Sequence, residues 1–191
     1  MKRVCALLLC LALMVPPAVA GAERVWPAWA EDALSWGQDQ GISQTFLNAP
    51  EETVTRGETA QLLYEAAGRP SVLKECPFSD VSGAYADAIT WAAEQGYLTG
   101  VGDGRYEPAR PVSRQEFTAI LWQRAGAPEA AVQGIGRFRD AGAVADWART
   151  PVLWSLQAGI MAGRSTDQLA PDGTITVGGG PGNVGAGLLT P

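Results

Sequence analysis

Histidine is absent from this 191-residue sequence, and cysteine is scarce. Without histidine the chain lacks the commonest general base and metal ligand of enzymes. Of three cysteines, Cys5 and Cys10 fall in the first twenty residues, which have the features of a removable export signal. Cys76 alone then remains, which excludes an intramolecular disulfide framework. We therefore expect packing to stabilise the fold, and we expect no metal site and no cofactor.

The N-terminal segment 1–20 is predicted to be a secretory signal peptide. Lys2 and Arg3 precede an apolar run, and the segment ends on the small residues Ala18-Val19-Ala20. Removing Lys2 and Arg3 lowers the basic residues from 14 to 12 against 20 acidic ones, so the net charge moves from −6 to −8. Such an acidic chain is a poor nucleic-acid binder, and no later stretch reaches the ~18 apolar residues of a membrane span. We expect an exported protein with neither a nucleic-acid partner nor a membrane span.

Three segments repeat one pattern, in which a tryptophan stands five residues before a glycine. The tryptophans are Trp36, Trp91 and Trp154, and their spacings are 55 and 63 residues. These spacings are the size of a supersecondary unit. Apolar residues before each glycine recur at helical spacing, and glycine is a natural helix stop because it accepts positive φ. Each unit is therefore predicted to begin with an amphipathic helix.

A second helix is predicted after a loop in the first two units. Thr55-Arg56-Gly57-Glu58 and Ser113-Arg114-Gln115-Glu116 each place a hydroxyl residue three positions before a glutamate, the pattern of a capping box. A closing glycine stands 12 residues after each arginine. Capping accounts for both glutamates, which would otherwise suggest the carboxylate pair of a glycosidase. The complete unit is predicted as helix, loop and helix, and the fold as all-α.

The third unit departs from this pattern. Arg114 stands 23 residues after Trp91, and the residue 23 positions after Trp154 is Val177. The glycine-rich segment that follows Val177 cannot hold a helix. Thr176 supplies the hydroxyl of the box, but its arginine and glutamate are missing. We interpret the change of character as a frameshift near Val177, and we expect a chain without this helix to be marginally stable or to self-associate.

These motifs resemble the S-layer homology family. The resemblance rests on Pro77-Phe78-Ser79-Asp80-Val81, on the run from Trp91 to Gly100, on the loop from Gly102 to Pro108, and on the two boxes. It implies a pseudo-threefold bundle, with three tandem repeats of which the third is incomplete. The implied repeats are 26–70, 77–127 and 138–177, followed by a glycine-rich irregular tail at 178–191.

The resemblance also implies ligand-binding residues. In that family the arginine of the box lies in a groove between repeats and meets an acidic, often pyruvylated, sugar of the cell wall. Carried over to this sequence, it identifies Arg56 and Arg114. A guanidinium fits a carboxylate bidentately, and a cation in the first helical turn is otherwise disfavoured by the helix dipole.

Three further residues are candidates for the same site. Trp36 and Trp91 either stack on sugar rings or lie in the bundle core, and their helical spacing favours the core. Asp103 stands between two glycines, where it either accepts sugar hydroxyls, binds calcium or simply forms a turn. The turn is the favoured interpretation of Asp103.

The predicted function is that of a noncatalytic module, secreted to the bacterial cell wall or surface. Its partner would be a secondary cell wall polymer or a peptidoglycan-linked glycan, with a pyruvylated polysaccharide as the expected ligand. One alternative is a truncated or frameshifted fragment of a larger S-layer-type surface protein, with weak or no binding. The other is a wall glycan hydrolase, because some glycosidases need only two carboxylates.

Overall fold

The computed structural model describes residues 51–131 and 134–177, together with Ser35, Gln38 and Asp39, which are helical. Most of residues 1–50, which include the predicted signal peptide and Trp36 of the first predicted helix, lie outside the described residues, and so does the tail at 178–191. Residues 51–131 and 134–177 contain four α-helices and no strand, which confirms the all-α class for this part of the chain. The helices are α1 (Arg56–Ala66), α2 (Ala86–Glu94), α3 (Arg114–Arg124) and α4 (Arg149–Gln157). Short 3-10 helices occur at Gly83–Tyr85, Ile135–Arg137, Ala141–Ala143 and Asp146–Ala148.

Both predicted capping boxes form at the starts of α1 and α3. The hydroxyl of Thr55 accepts the N–H of Glu58 at 3.2 Å, and the Glu58 carboxylate accepts the N–H of Thr55 at 2.7 Å. Ser113 and Glu116 make the same exchange at 3.3 and 2.9 Å. Two orphan donors of each helix are thereby satisfied, as the sequence spacing predicted.

Two of the three predicted glycine stops of the leading helices are also confirmed, whereas Gly41 lies outside the described residues. Gly96 follows the end of α2 with φ of 73°, and Gly159 follows the end of α4 with φ of 70°. Glycine adopts this positive φ without the steric cost that a Cβ incurs against the following carbonyl oxygen. The chain can therefore leave both helices abruptly and enter the loop that completes each unit.

The helices pack in pairs that cross the predicted repeat boundaries. Helix α1 packs on α2, and α3 packs on α4, so the second helix of one unit lies against the first helix of the next. The pair α1 and α2 encloses a cluster that includes Leu63, Ile89 and Trp91. A second cluster, which includes Val152 and Leu169, lies around α4. Each cluster thus needs side chains from more than one unit.

Three extended segments meet between the units, just before α1, before α3 and at the end of the described chain. We call them the three-way bridge: 53–55, 111–113 and 174–176. Bridges join Thr55 to Pro111, Ser113 to Thr174 and Thr176 to Thr53, so each segment pairs with both others. At its centre the buried Val54 donates its N–H to Ile175 at 3.0 Å and accepts that of Val112 at 3.0 Å. Residues 174–176 therefore occupy a place like that of the two capping segments.

Candidate functional site

A groove of about 510 Å³ is lined by the loop after α2, by one side of α3 and by residues around the start of α4. Its lining includes Arg56, the loop 96–101, Glu116, Trp122 and Trp147. We call it the inter-repeat groove, because the sequence analysis assigns Arg56 to the first predicted unit, α2 and α3 to the second, and Trp147 to the third. It brings one cation, one carboxylate and several aromatic side chains to one cavity.

Arg56 is the first residue of α1, and its side chain is only 5% exposed. Its Nε donates to the carbonyl of Tyr106 at 2.8 Å, its Nη2 to the carbonyl of Thr99 at 2.9 Å, and its Nη1 to Glu116 at 3.0 Å. The guanidinium also lies over the Tyr106 ring, 4.3 Å from the ring centroid. Every one of these partners belongs to the second unit, so Arg56 joins the first unit to the second.

Arg114 makes the corresponding contacts one repeat further along. It is fully buried, and it donates to the carbonyls of Leu169 at 3.2 Å and Ala162 at 2.5 Å. These acceptors follow Tyr106 and Thr99 by 63 residues, the spacing between the tryptophans of the two units. Desolvation by burial, with the nearby positive charge of Arg164, lowers the pKa of Arg114 to about 10. Arg114 therefore joins the second unit to the third.

Glu116 has more partners than a helix cap requires. Besides the Ser113 N–H, it accepts bonds from Arg56 and from both terminal nitrogens of Arg110, at 2.6 and 3.1 Å. Burial by itself would raise the pKa of Glu116, but the hydrogen bonds from Arg110 and Ser113 and the charge of Arg56 hold it below its ordinary value. Glu116 is therefore ionised at neutral pH and is the counter-ion of two arginines.

Two aspartates hold the loops that receive the arginines. Asp80 accepts the backbone N–H groups of Tyr106 and of the residue after it, both at 2.8 Å. Asp140 accepts those of Leu169 and of the residue after it, at 2.8 and 2.7 Å. The Tyr106 N–H is the main cause that lowers the pKa of Asp80. Burial by itself would raise the pKa of Asp140, but the hydrogen bonds from the backbone N–H groups outweigh it, so the pKa of Asp140 is also lowered.

The remaining candidates from the sequence lie elsewhere. Trp91 is 6% exposed and packs with its ring centroid 5.6 Å from those of Tyr64 and Tyr97, in the core position that its spacing favoured. Asp103 is exposed, with φ of 50°, in the turn closed by the bridge between Gly102 and Arg105. Of the four candidates within the described residues, Arg56 lines the inter-repeat groove and Arg114, Trp91 and Asp103 do not.

Sequence reasoning missed the aromatic side chains of the groove. Trp147 is 58% exposed although it is a large apolar side chain. Trp122 is partly buried, and its indole N–H donates to the Pro128 carbonyl at 2.7 Å, which fixes the ring. Only the packing of α3 beside α4 shows that Trp122 and Trp147 share a cavity.

The described residues offer neither a metal-binding cluster nor a membrane-spanning helix. No group of three or more His, Cys, Asp or Glu side chains in that part of the chain is suited to hold a metal ion. None of the helices there has the length and apolar character needed to cross a membrane.

The S-layer homology domain profile matches residues 77–118 and 137–176. Two longer proteins are similar to the chain. Exoglucanase XynX of Acetivibrio thermocellus is 26% identical over 156 residues, which cover 78% of this chain and 14% of the enzyme. Endo-1,4-beta-xylanase A of Thermoanaerobacterium saccharolyticum is 32% identical over 112 residues, which cover 57% of this chain and 9% of the enzyme. Asp80 and Asp140 make equivalent contacts in the two matched segments, which are S-layer homology repeats and cover less than half of the chain.

Proposed function

We propose that this chain is a noncatalytic module that anchors to a bacterial cell wall by binding a wall polysaccharide in the inter-repeat groove. S-layer homology domains are associated with cell walls and bind their polymers. The observation that carries the proposal is the lining of the groove, where Arg56 and Glu116 lie beside Trp122 and Trp147. Aromatic faces that pack against sugar rings, with a few polar groups that fix orientation, suit a glycan ligand.

We further propose that the glycan is acidic and that its acidic group binds Arg56. A pyruvate ketal would present a carboxylate, and Arg56 is the cation that lines the groove. Hydrogen bonds between a guanidinium and a carboxylate are short and strong, and their geometry is specific. Arg114 makes equivalent backbone contacts at the next junction, which supports a second, similar role there.

The arrangement of three repeats is also proposed. The repeats are 26–70, 77–127 and 138–177, with the third lacking its second helix. The three-way bridge supports a pseudo-threefold axis, because equivalent segments before the box positions pair with each other in a closed order. In the two similar enzymes the matched region is a small share of the whole protein, as we expect of an anchoring module.

A wall-pelleting assay tests this function. The chain without residues 1–20 is mixed with walls isolated from Acetivibrio thermocellus and from Thermoanaerobacterium saccharolyticum, and the walls are sedimented. We expect the chain in the pellet, and we expect soluble wall polysaccharide to release it. Trp147→Ala should weaken pelleting because its exposed ring lines the groove. Arg139→Ala is the matched control, since this side chain is 67% exposed and is not part of the groove lining.

The same assay separates the other interpretations. A folded chain that stays in the supernatant with both walls would refute the anchoring function. Aggregated chain that pellets without walls would indicate the nonfunctional fragment. Release of reducing sugar from the walls would indicate a hydrolase, for which we propose no active site.

A further inference from the structure

Arg56, the cation that lines the inter-repeat groove, already forms an ion pair with a carboxylate of the protein. The Nη1 of Arg56 donates to Glu116 at 3.0 Å, and both residues line the cavity. The other two nitrogens of this guanidinium donate to the carbonyls of Tyr106 and Thr99. A glycan carboxylate that approached Arg56 at Nη1 would therefore meet a position already held by a carboxylate of the protein.

The helix cap does not require this ion pair. Glu58 holds the same position in the first capping box, where its bonds to Thr55 are 2.7 to 3.2 Å long. Within the described residues, no arginine forms a salt bridge with Glu58. The pairing of Glu116 with arginine is therefore an addition to the capping function, and it occurs at the glutamate that lines the groove.

The surroundings allow Glu116 to release Arg56 at low cost. Glu116 would keep its bonds from Arg110, the shorter of them 2.6 Å, and from the Ser113 N–H at 2.9 Å. Arg56 would keep both of its carbonyl acceptors, so its guanidinium would stay in place. Neither charge would be left buried without a partner, which is the costly outcome when an ion pair is broken.

We infer that Glu116 is a built-in competitor for the Arg56 guanidinium and sets the preference of the groove between acidic and neutral glycans. An acidic glycan binds by replacing Glu116 at Nη1 of Arg56, while Glu116 remains paired with Arg110. A neutral glycan leaves the internal pair intact. This inference rests on the proposed function, because it describes how the same groove selects its ligand.

Removal of the charge on Glu116 tests the inference. Glu116→Gln keeps the shape and an acceptor oxygen but leaves Arg56 without its carboxylate in the groove. The probes are the soluble polysaccharide of the walls used above and the same polysaccharide after chemical reduction of its carboxyl groups to alcohols. Affinities are measured by calorimetry for the parent chain, for Glu116→Gln and for the matched control Glu58→Gln, which removes the capping carboxylate without touching an arginine.

We expect Glu116→Gln to bind the acidic polysaccharide at least about tenfold more tightly than the parent chain, the scale of one charged hydrogen bond. The ratio of its affinities for the acidic and the reduced polysaccharide should rise by the same factor over that of the parent chain. Glu58→Gln should leave the ratio of the two affinities as in the parent. A merely structural role of Glu116 would weaken binding of both probes together or change neither.

The outcomes separate this inference from the proposed function. If the parent chain binds walls and Glu116→Gln leaves the ratio of affinities unchanged, the inference falls and the function stands. If neither chain binds either probe or the walls, both fall. If Glu116→Gln does not melt cooperatively, Glu116→Asp replaces it, because the shorter side chain retreats from Arg56. A gain of the same sign for the acidic probe then supports the inference, and an unchanged ratio overturns it.

Discussion

Replacement of Arg114 by alanine should destabilise the chain far more than the loss of a surface arginine. Its side chain is fully buried and bonds to the carbonyls of Leu169 and Ala162, which belong to the third unit. Alanine would leave both carbonyls without their charged donor and would open a cavity between the units. The contact between α3 and the loop that follows α4 would lose its polar link.

The magnitude follows from the number of hydrogen bonds. A hydrogen bond to a charged group contributes about 1.5 to 3 kcal/mol, so two of them amount to about 3 to 6 kcal/mol. The whole stability of a domain is about 5 to 15 kcal/mol. Arg114→Lys should recover only part of the loss, because one ammonium group cannot reproduce the planar fork that reaches both carbonyls.

Urea unfolding followed by tryptophan fluorescence measures this effect. At an m value of about 2 kcal/mol per molar, a loss of about 3 kcal/mol lowers the midpoint by about 1.5 M. Arg139→Ala is the control and should shift the free energy of unfolding by less than about 0.5 kcal/mol, because its partner lies 3.7 Å away at the surface. A loss below about 1 kcal/mol for Arg114→Ala, with an unchanged m value, would refute the reasoning.

Two further predictions concern stability. Gly100→Ala should cost about 1 to 3 kcal/mol, because a Cβ there would lie 2.6 Å from the Arg105 carbonyl and 2.9 Å from the Phe78 ring. Gly142→Ala, where a Cβ meets nothing within 4 Å, is the control for thermal melts, and equal melting temperatures would contradict the prediction. The lowered pKa values of Asp80, Asp140 and Glu116 mean that the unfolded chain takes up protons at a higher pH than the folded one. The stabilisation by these carboxylates should therefore be fully present above their ordinary pKa values, about pH 4, and should be lost as the pH falls through their pKa values in the folded chain. Asp140→Asn should reduce the change of melting temperature with pH. A melting temperature of the parent chain that stays constant from about pH 6 to 2.5 would contradict the prediction.

Features that depend on near neighbours in the chain could be predicted from the sequence. The boxes at Thr55 and Ser113 form because donor and acceptor lie three residues apart. The turn at Gly96 ends α2 because the conformational freedom of glycine is a local property. Burial of Trp91 followed in the same way from the period of a helix.

The partners of the charged residues could not be predicted from local sequence spacing. An arginine at the start of α1 or α3 is unfavourable for an isolated helix, and the sequence offered only a ligand to explain it. The structure supplies further partners, since Arg56 and Arg114 each reach backbone carbonyls 43 to 55 residues further along. The carbonyls of Tyr106 and Leu169 are held in place because Asp80 and Asp140 bond to the backbone N–H groups of those same residues.

The sequence by itself predicted the starts of α1 and α3, the glycine stops after α2 and α4, and the likeness of residues 77–118 and 137–176 to S-layer homology repeats, because each depends on residue types at fixed local spacing. Only the tertiary structure decided that Glu116 meets Arg56, which lies 60 residues earlier in the chain. It likewise decided that Trp122 and Trp147 share a groove with this pair. Helical periodicity specifies which face of a helix is buried, whereas the packing of α1 on α2 and of α3 on α4 determines which side chains from different repeats come together.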